Sequence, residues 1–204
     1  MNKKFYTGVG ARKTPIDVLQ KMVSYAGILE FLGFTLRSGG QPKGADGAFE
    51  QGVKHRANKV IYKPNHWVGG SLEPKIIEKA YMIAAKHHPA WLRLEPYVKK
   101  LMARNVHAVL GDELNSPSRF VICWTPDGMN NYSPRTSLSG GTGHTLAVAL
   151  ENSIPIYNLK NEEDEKDLDD FIVSIINKNF TTVIEKELLN TFIVSHNPIY
   201  KEVF

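Results

Sequence analysis

The chain has 204 residues, 42% of them apolar, and a single cysteine, Cys123. That length fits one domain with a sizeable core, or one domain plus a small appendage. No apolar run approaches the ~20 residues of a membrane-spanning helix, and one cysteine excludes an intramolecular disulfide. The net charge of +4 suits an anionic ligand without demanding one.

Phe5-Tyr6-Thr7-Gly8 reads as a short first strand running into a glycine turn. The residues around it are basic but form no signal-peptide core, so a cytoplasmic protein is expected. Thr14-Pro15-Ile16-Asp17 carries the signals of a helix start, with Thr14 as cap, Pro15 at the first helical position and Asp17 where a capping-box acid belongs. Val18, Leu19, Met22, Ala26, Leu29 and Leu32 continue with helical spacing until Gly33. Residues 34–38 read as the second strand, residues 45–56 as the second helix and residues 59–62 as the third strand. Residues 72–86 and 96–110 read as helices. Residues 119–124 form a near-continuous apolar strand of the kind covered on both faces, with Cys123 as a small buried hydrophobe. A polar loop follows, then a helix over about 144–152 and a strand over 154–159. Strands alternating with helices predict an α/β fold, a mostly parallel sheet with helices on both faces and right-handed crossovers. Leu168, Phe171, Ile172, Ile175 and Ile176 form one helical stripe, which makes the acidic run at 162–165 that helix's solvated face. The organisation expected is a domain over residues 1–160 with a helical extension, residues 161–204, packed on it.

Three glycine-rich segments sit where strands hand over to helices. In Gly8-Val9-Gly10-Ala11-Arg12, unpaired backbone N–H groups at a positive helix end attract anions, glycine permits close approach and Arg12 can fork onto a phosphate. A tight turn with a surface arginine fits that segment equally well. In Ser38-Gly39-Gly40-Gln41-Pro42-Lys43-Gly44-Ala45-Asp46, three glycines within six residues exceed what one turn requires. Asp46 there caps the helix, orients the loop or contacts a ribose hydroxyl, the first two being the safer readings. The third segment is Ser139-Gly140-Gly141-Thr142-Gly143-His144-Thr145. None is the dinucleotide fingerprint Gly-x-Gly-x-x-Gly or a Walker loop, so ordinary nicotinamide oxidoreductases and ATPases are disfavoured. Loops of this kind at strand carboxyl ends meet across the crevice of an open sheet. His87 and His88 have no cysteine or acid at metal-ligand spacing, so no metal is expected. Trp67, Trp91 and Tyr132 either stack bases or pack.

Taken in order, Thr7-Gly8…Arg12, Ser38-Gly39-Gly40…Gly44-Ala45-Asp46…Phe49-Glu50, Arg104-Asn105 and Ser139-Gly140-Gly141-Thr142 resemble the SLOG superfamily. The closest likeness is to the Rossmann-like core of DprA-type DNA-processing proteins and related phage and bacterial proteins, over roughly residues 4–159. The resemblance implies a Rossmann-like three-layer domain that binds phosphate through Gly39, Gly40, Lys43, Gly44, Arg104, Asn105, Gly140, Gly141 and Thr142; Gly8, Gly10, Arg12, Ser38 and Asp46 join them as candidate ligand-binding residues. No cofactor is expected, and a homo-oligomer is. Three readings follow. The first is a binding protein that senses or sequesters a nucleotide or nucleotide-derived ligand. The second is single-stranded DNA binding of the DprA kind. The third is N-glycosidic cleavage of the LOG kind. In LOG-type hydrolases a catalytic glutamate stands where this chain has Ala147, which points away from an enzyme; were there turnover, Glu50 and Asp46 would be the acids at hand.

Overall fold

The computed structural model describes residues 3–64 and 73–179. Its strands are β1 (Lys4–Gly8), β2 (Phe34–Ser38), β3 (Lys59–Ile61), β4 (Val121–Cys123) and β5 (Ile156–Asn158). Its described α-helices are α1 (Ile16–Phe31), α2 (Ala45–Gly52), α3 (Pro74–Lys86), α4 (Pro96–Leu110), α5 (Gly140–Glu151) and α6 (Glu162–Asn179). The strands make one all-parallel sheet in the order β3-β2-β1-β4-β5. The expected α/β three-layer architecture is the one observed.

Strand alternation sends successive side chains to opposite faces, and both faces are covered. Ile122 points with Tyr6 and Leu36 into a core closed by Met22 of α1, Phe49 of α2 and Leu168 of α6. Val121 and Cys123 point the other way, with Val9 and Ile156, into a core closed by Ala84 of α3, Val106 of α4 and Leu146 of α5. Tyr6 and Phe49 are fully buried, with ring centroids 6.4 Å apart edge to face, and Tyr6 stacks on Phe120 at 5.8 Å. Burying side chains of this size is worth about 1.5–3 kcal/mol each. In α1, Val18, Met22, Tyr25, Ala26 and Leu29 supply the buried stripe, and Gly33 at φ +80° ends it.

Several elements differ from the sequence reading for local reasons. Thr14 does not cap α1: its hydroxyl donates to the Ala11 carbonyl at 2.7 Å, and Pro15 occupies the cap position. Helix α2 stops at Gly52 rather than running to residue 56. There the Glu30 carboxylate accepts the backbone N–H groups of Lys54 and His55 and the Asn58 amide, drawing the chain out of the helix into a 3₁₀ turn, Arg56–Asn58. The acidic run is not wholly solvated, since Asp164 is buried and accepts from Asn130, the Asn158 backbone N–H and Asn161. Trp67 lies outside the described residues. The largest difference concerns α5, which begins at Gly140, so the third glycine segment is the first turn of the helix itself.

From β1 the chain moves outward through α1 and α2 on one face; from β4 it proceeds through α5 on the other. Between the carboxyl ends of β1 and β4 the connections diverge. Such a switch point leaves a crevice that no helix fills.

Candidate functional site

The floor of the crevice is made by the segments after β1 and β2 packing on each other. Past the end of β1, Val9 and Ala11 keep donating to Ile122 and Trp124, so the chain stays flat against the β4 edge. A Cβ on Gly10 would stand 2.6 Å from that of Ala45, and one on Gly44, at φ +81°, would stand 2.6 Å from the Ala11 carbonyl oxygen. These glycines therefore let two backbones touch. Gly8 makes room for Phe49 and Leu36, and the Ser38 hydroxyl donates to the Gly8 carbonyl at 2.7 Å, tying the two strand ends together.

Helix α4 forms one wall. Tyr97, Val98, Leu101, Met102, Arg104 and Asn105 recur at helical spacing along one face and line the cavity. Arg104 lies across Gly39, where any Cβ would collide with its guanidinium. Its Nε is buried without a hydrogen-bond partner, and burial lowers its pKa against the opposing pull of Asp46. Among the described residues no carboxylate forms an ion pair with Arg104 or Arg12. Asn105 is only 7% exposed, yet among the described residues its amide makes no hydrogen bond. Asp46, equally buried, accepts the backbone N–H groups of Gln41 and Gly10; burial pushes its carboxyl up to about 6, with Arg104 restraining the rise. Its role within the protein is thus to orient the loop, since the cap position of α2 belongs to Gly44.

The start of α5 closes the opposite side. Asp127 accepts from the Ser139 hydroxyl and from the Thr136 hydroxyl and N–H, fixing the 3₁₀ turn Ser137–Ser139 that leads into the helix. Burial works to raise the Asp127 pKa, but these hydrogen bonds outweigh it and hold the carboxyl at about 2. Gly140, at φ +54°, turns the chain into the helix. A Cβ on Gly140 or Gly141 would meet open space, and among the described residues no side chain caps the first N–H groups of α5 at its positive end.

These parts enclose a cavity of about 610 Å³. It brings together Gly10, Arg12, Asp46, Arg104, Asn105, Gly140, Gly141 and Thr142 from positions scattered along the sequence. Gly8, Ser38, Gly39, Gly40, Lys43 and Gly44 are not among its lining residues. Gly8, Ser38 and Gly44 serve the packing beneath it, Gly39 seats Arg104, Gly40 abuts Ile61 and Lys63, and Lys43 is exposed to the side. Glu50 does not line the cavity either, and Asp46 is the one carboxylate among the residues that do. The α4 apolar face, Leu138 and the Asp127 network were not foreseen. The α4 face had a signal, because residues three, six and seven positions before Arg104 share its helical face; the Asp127 contacts bridge a loop with no periodicity.

Fold and cavity together define a Rossmann-like α/β protein with an open, cationic switch-point site. In comparisons of the chain with protein-family models, curated proteins and solved structures, nothing matches. Among the described residues no helix is long and apolar enough to cross a membrane, and no cluster of side chains is suited to hold a metal ion.

Proposed function

We propose that this chain binds a nucleotide or nucleotide-derived ligand, sensing or sequestering it, with the ligand's phosphate at the start of α5. The supporting observation, among the described residues, is the meeting, in one cavity, of a helix N-terminus with no side-chain cap, an arginine in no ion pair and an asparagine amide without a hydrogen bond. A phosphate answers the first two. The apolar face of Tyr97, Val98, Leu101 and Met102 suits a planar base. Asp46, acceptor-only when ionised, suits the hydroxyls of a sugar. Of the SLOG-like glycine segments, Gly10, Gly140 and Gly141 line this cavity. N-glycosidic cleavage is the weaker reading, since a single carboxylate lines the cavity and Ala147 replaces the family's glutamate.

Titration calorimetry with a panel of nucleotides, together with native mass spectrometry of protein purified from its own cells, tests the proposal. The expected result is saturable one-to-one binding of a small nucleotide or a retained mass of that size. For single-stranded DNA, log affinity falls against log salt by about 0.7 per phosphate contacted. A slope reporting many phosphates, with affinity climbing over a long oligonucleotide ladder, establishes the DNA-binding reading instead. Release of free base establishes the hydrolase.

A further inference from the structure

Open volume at the start of α5 does not end with the cavity described above. A second one, of about 580 Å³, is lined by His88, Pro89, Arg135, Thr136, Ser137 and Gly140. Gly140 lines both, so the two adjoin at a residue without a side chain, where a Cβ would meet nothing.

The chemistry of the second cavity repeats that of the first. Arg135 is half-buried and donates through Nη1 to the His87 carbonyl at 2.8 Å, which positions its guanidinium. Among the described residues no carboxylate pairs with it. Asp127, the acid whose charge it senses, gives one oxygen to Thr136 and Ser139, while its other oxygen is buried without a hydrogen-bond partner among the described residues. With one donor engaged by a carbonyl and no ion pair among the described residues, the half-buried guanidinium keeps its other N–H donors for an anion. His88 Nδ1 accepts the Ala90 N–H at 3.2 Å, so the neutral ring carries its proton on Nε2 and offers a donor. Burial and the neighbouring Arg135 both hold His88 toward that neutral form.

We infer that the two cavities are subsites for one ligand built of two nucleotide units joined through phosphate, one unit at Arg104 and α5, the other at Arg135 and His88. The inference rests on the nucleotide reading above. Its argument is one of size and charge. Pockets of about 300–1,000 Å³ each hold a ligand of roughly nucleotide size, and here two such volumes meet at a glycine, each with an arginine that forms no ion pair among the described residues. A single mononucleotide leaves one of them empty.

Calorimetry on the full chain decides the matter, using nucleoside 5′-monophosphates, the corresponding linear and cyclic dinucleotides, and longer strands. The expected result is a dinucleotide that binds at least about tenfold more tightly than its mononucleotide, the scale of one added charge-assisted contact. Arg135→Ala should return the dinucleotide to the mononucleotide level while leaving mononucleotide affinity within about twofold, and Arg135→Lys should keep part of the gain. If Arg135→Ala unfolds, seen by circular dichroism, His88→Ala carries the same comparison with a smaller loss. Equal affinity for one and two units, equal weakening of both by Arg135→Ala, or affinity that keeps climbing beyond two units overturns the two-subsite inference alone. Absence of binding by every probe, mononucleotides included, overturns the nucleotide reading and this one with it.

Discussion

Replacing Asp46 by asparagine is expected to stabilise the fold while weakening the ligand. Burial pushes the Asp46 carboxyl from its usual 3.8 to about 6, with the Arg104 charge and the N–H groups of Gln41 and Gly10 opposing. At about 1.4 kcal/mol per pH unit, keeping that group ionised at pH 8 costs the folded state about 3 kcal/mol. The sign follows from proton binding. The folded protein holds this proton where the unfolded chain has released it, so the contribution is fully present below about 3.8 and is lost as pH rises through about 6. Asparagine has the same shape, keeps an acceptor for the Gln41 N–H and carries no charge. It forfeits about 1 kcal/mol of hydrogen-bond strength and about 0.3–1 kcal/mol of attraction to the start of α2. A net gain of about 1–2 kcal/mol should remain at pH 8 and disappear toward pH 4. Urea unfolding of both proteins across that range measures it. His144 titrates in the opposite sense. Burial holds its pKa at about 4 against the usual 6.5, so acid destabilises the fold through that window. The two slopes offset one another in the parent chain, and Asp46→Asn should lose stability on acidification more steeply than the parent. Equal or lower stability of the variant at pH 8, with an unchanged m-value, refutes the desolvation argument. Tighter nucleotide binding by Asp46→Asn refutes the carboxylate's role as acceptor for the ligand.

Arg104→Ala should weaken nucleotide binding by about 1–3 kcal/mol by calorimetry, the scale of a charge-assisted contact. Its melting temperature should hold near pH 5, where the Asp46 carboxyl is mostly protonated and the lost guanidinium is only desolvated, and should fall at pH 8, where the Asp46 carboxylate loses the charge opposing its burial; a fall at pH 5 with intact affinity makes Arg104 structural. Gly141→Asp separates fold from site by opposite signs. The added carboxylate has open space at the start of α5 and should stabilise that helix by about 0.3–1 kcal/mol, yet it occupies the anion's place and should abolish the binding isotherm. Gly40→Asp provides the contrast. With φ +71° and a Cβ placed 2.6 Å from Ile61 Cγ2, it should lower stability in a denaturant titration by more than about 1 kcal/mol through backbone strain and crowding, whereas any folded fraction should retain most of its affinity.

Much of the architecture was legible because its causes are local. The spacing of Val18, Met22, Ala26 and Leu29 dictates α1 whatever surrounds it, and the apolar run at 120–124 has to be covered on both faces. Element ends were less legible because distant side chains set them. Glu30 ends α2 from another helix, and Asp127 moves the start of α5 forward to Gly140 from a loop 13 residues earlier in the chain. The glycines carry the same lesson within the site. Gly8, Gly10, Gly44 and Gly141 look alike in sequence, since each follows or precedes a strand or helix. What divides them is what a Cβ would meet: Phe49 at Gly8, Ala45 at Gly10, the Ala11 carbonyl at Gly44, and nothing at Gly141. Only the tertiary packing tells a glycine that admits a neighbouring backbone from one that leaves a helix end open.

The same packing also concentrates features that work against folded stability. The Asp46 carboxylate and the Arg104 guanidinium are both disfavoured by burial, and beside them lie, among the described residues, the Asn105 amide, which makes no hydrogen bond, and the start of α5, which no side chain caps. They come from three separate connections of the sheet, and nothing in the packing of α1, α2 or α6 requires them to converge. A phosphate would cap α5 and pair with Arg104. The hydroxyls of the same ligand would satisfy Asp46, and a base against α4 would bring its polar edge within reach of Asn105. Binding of the proposed ligand at this crevice would answer all of these groups together, which is why substitutions that relieve them in the free protein are expected to weaken the ligand.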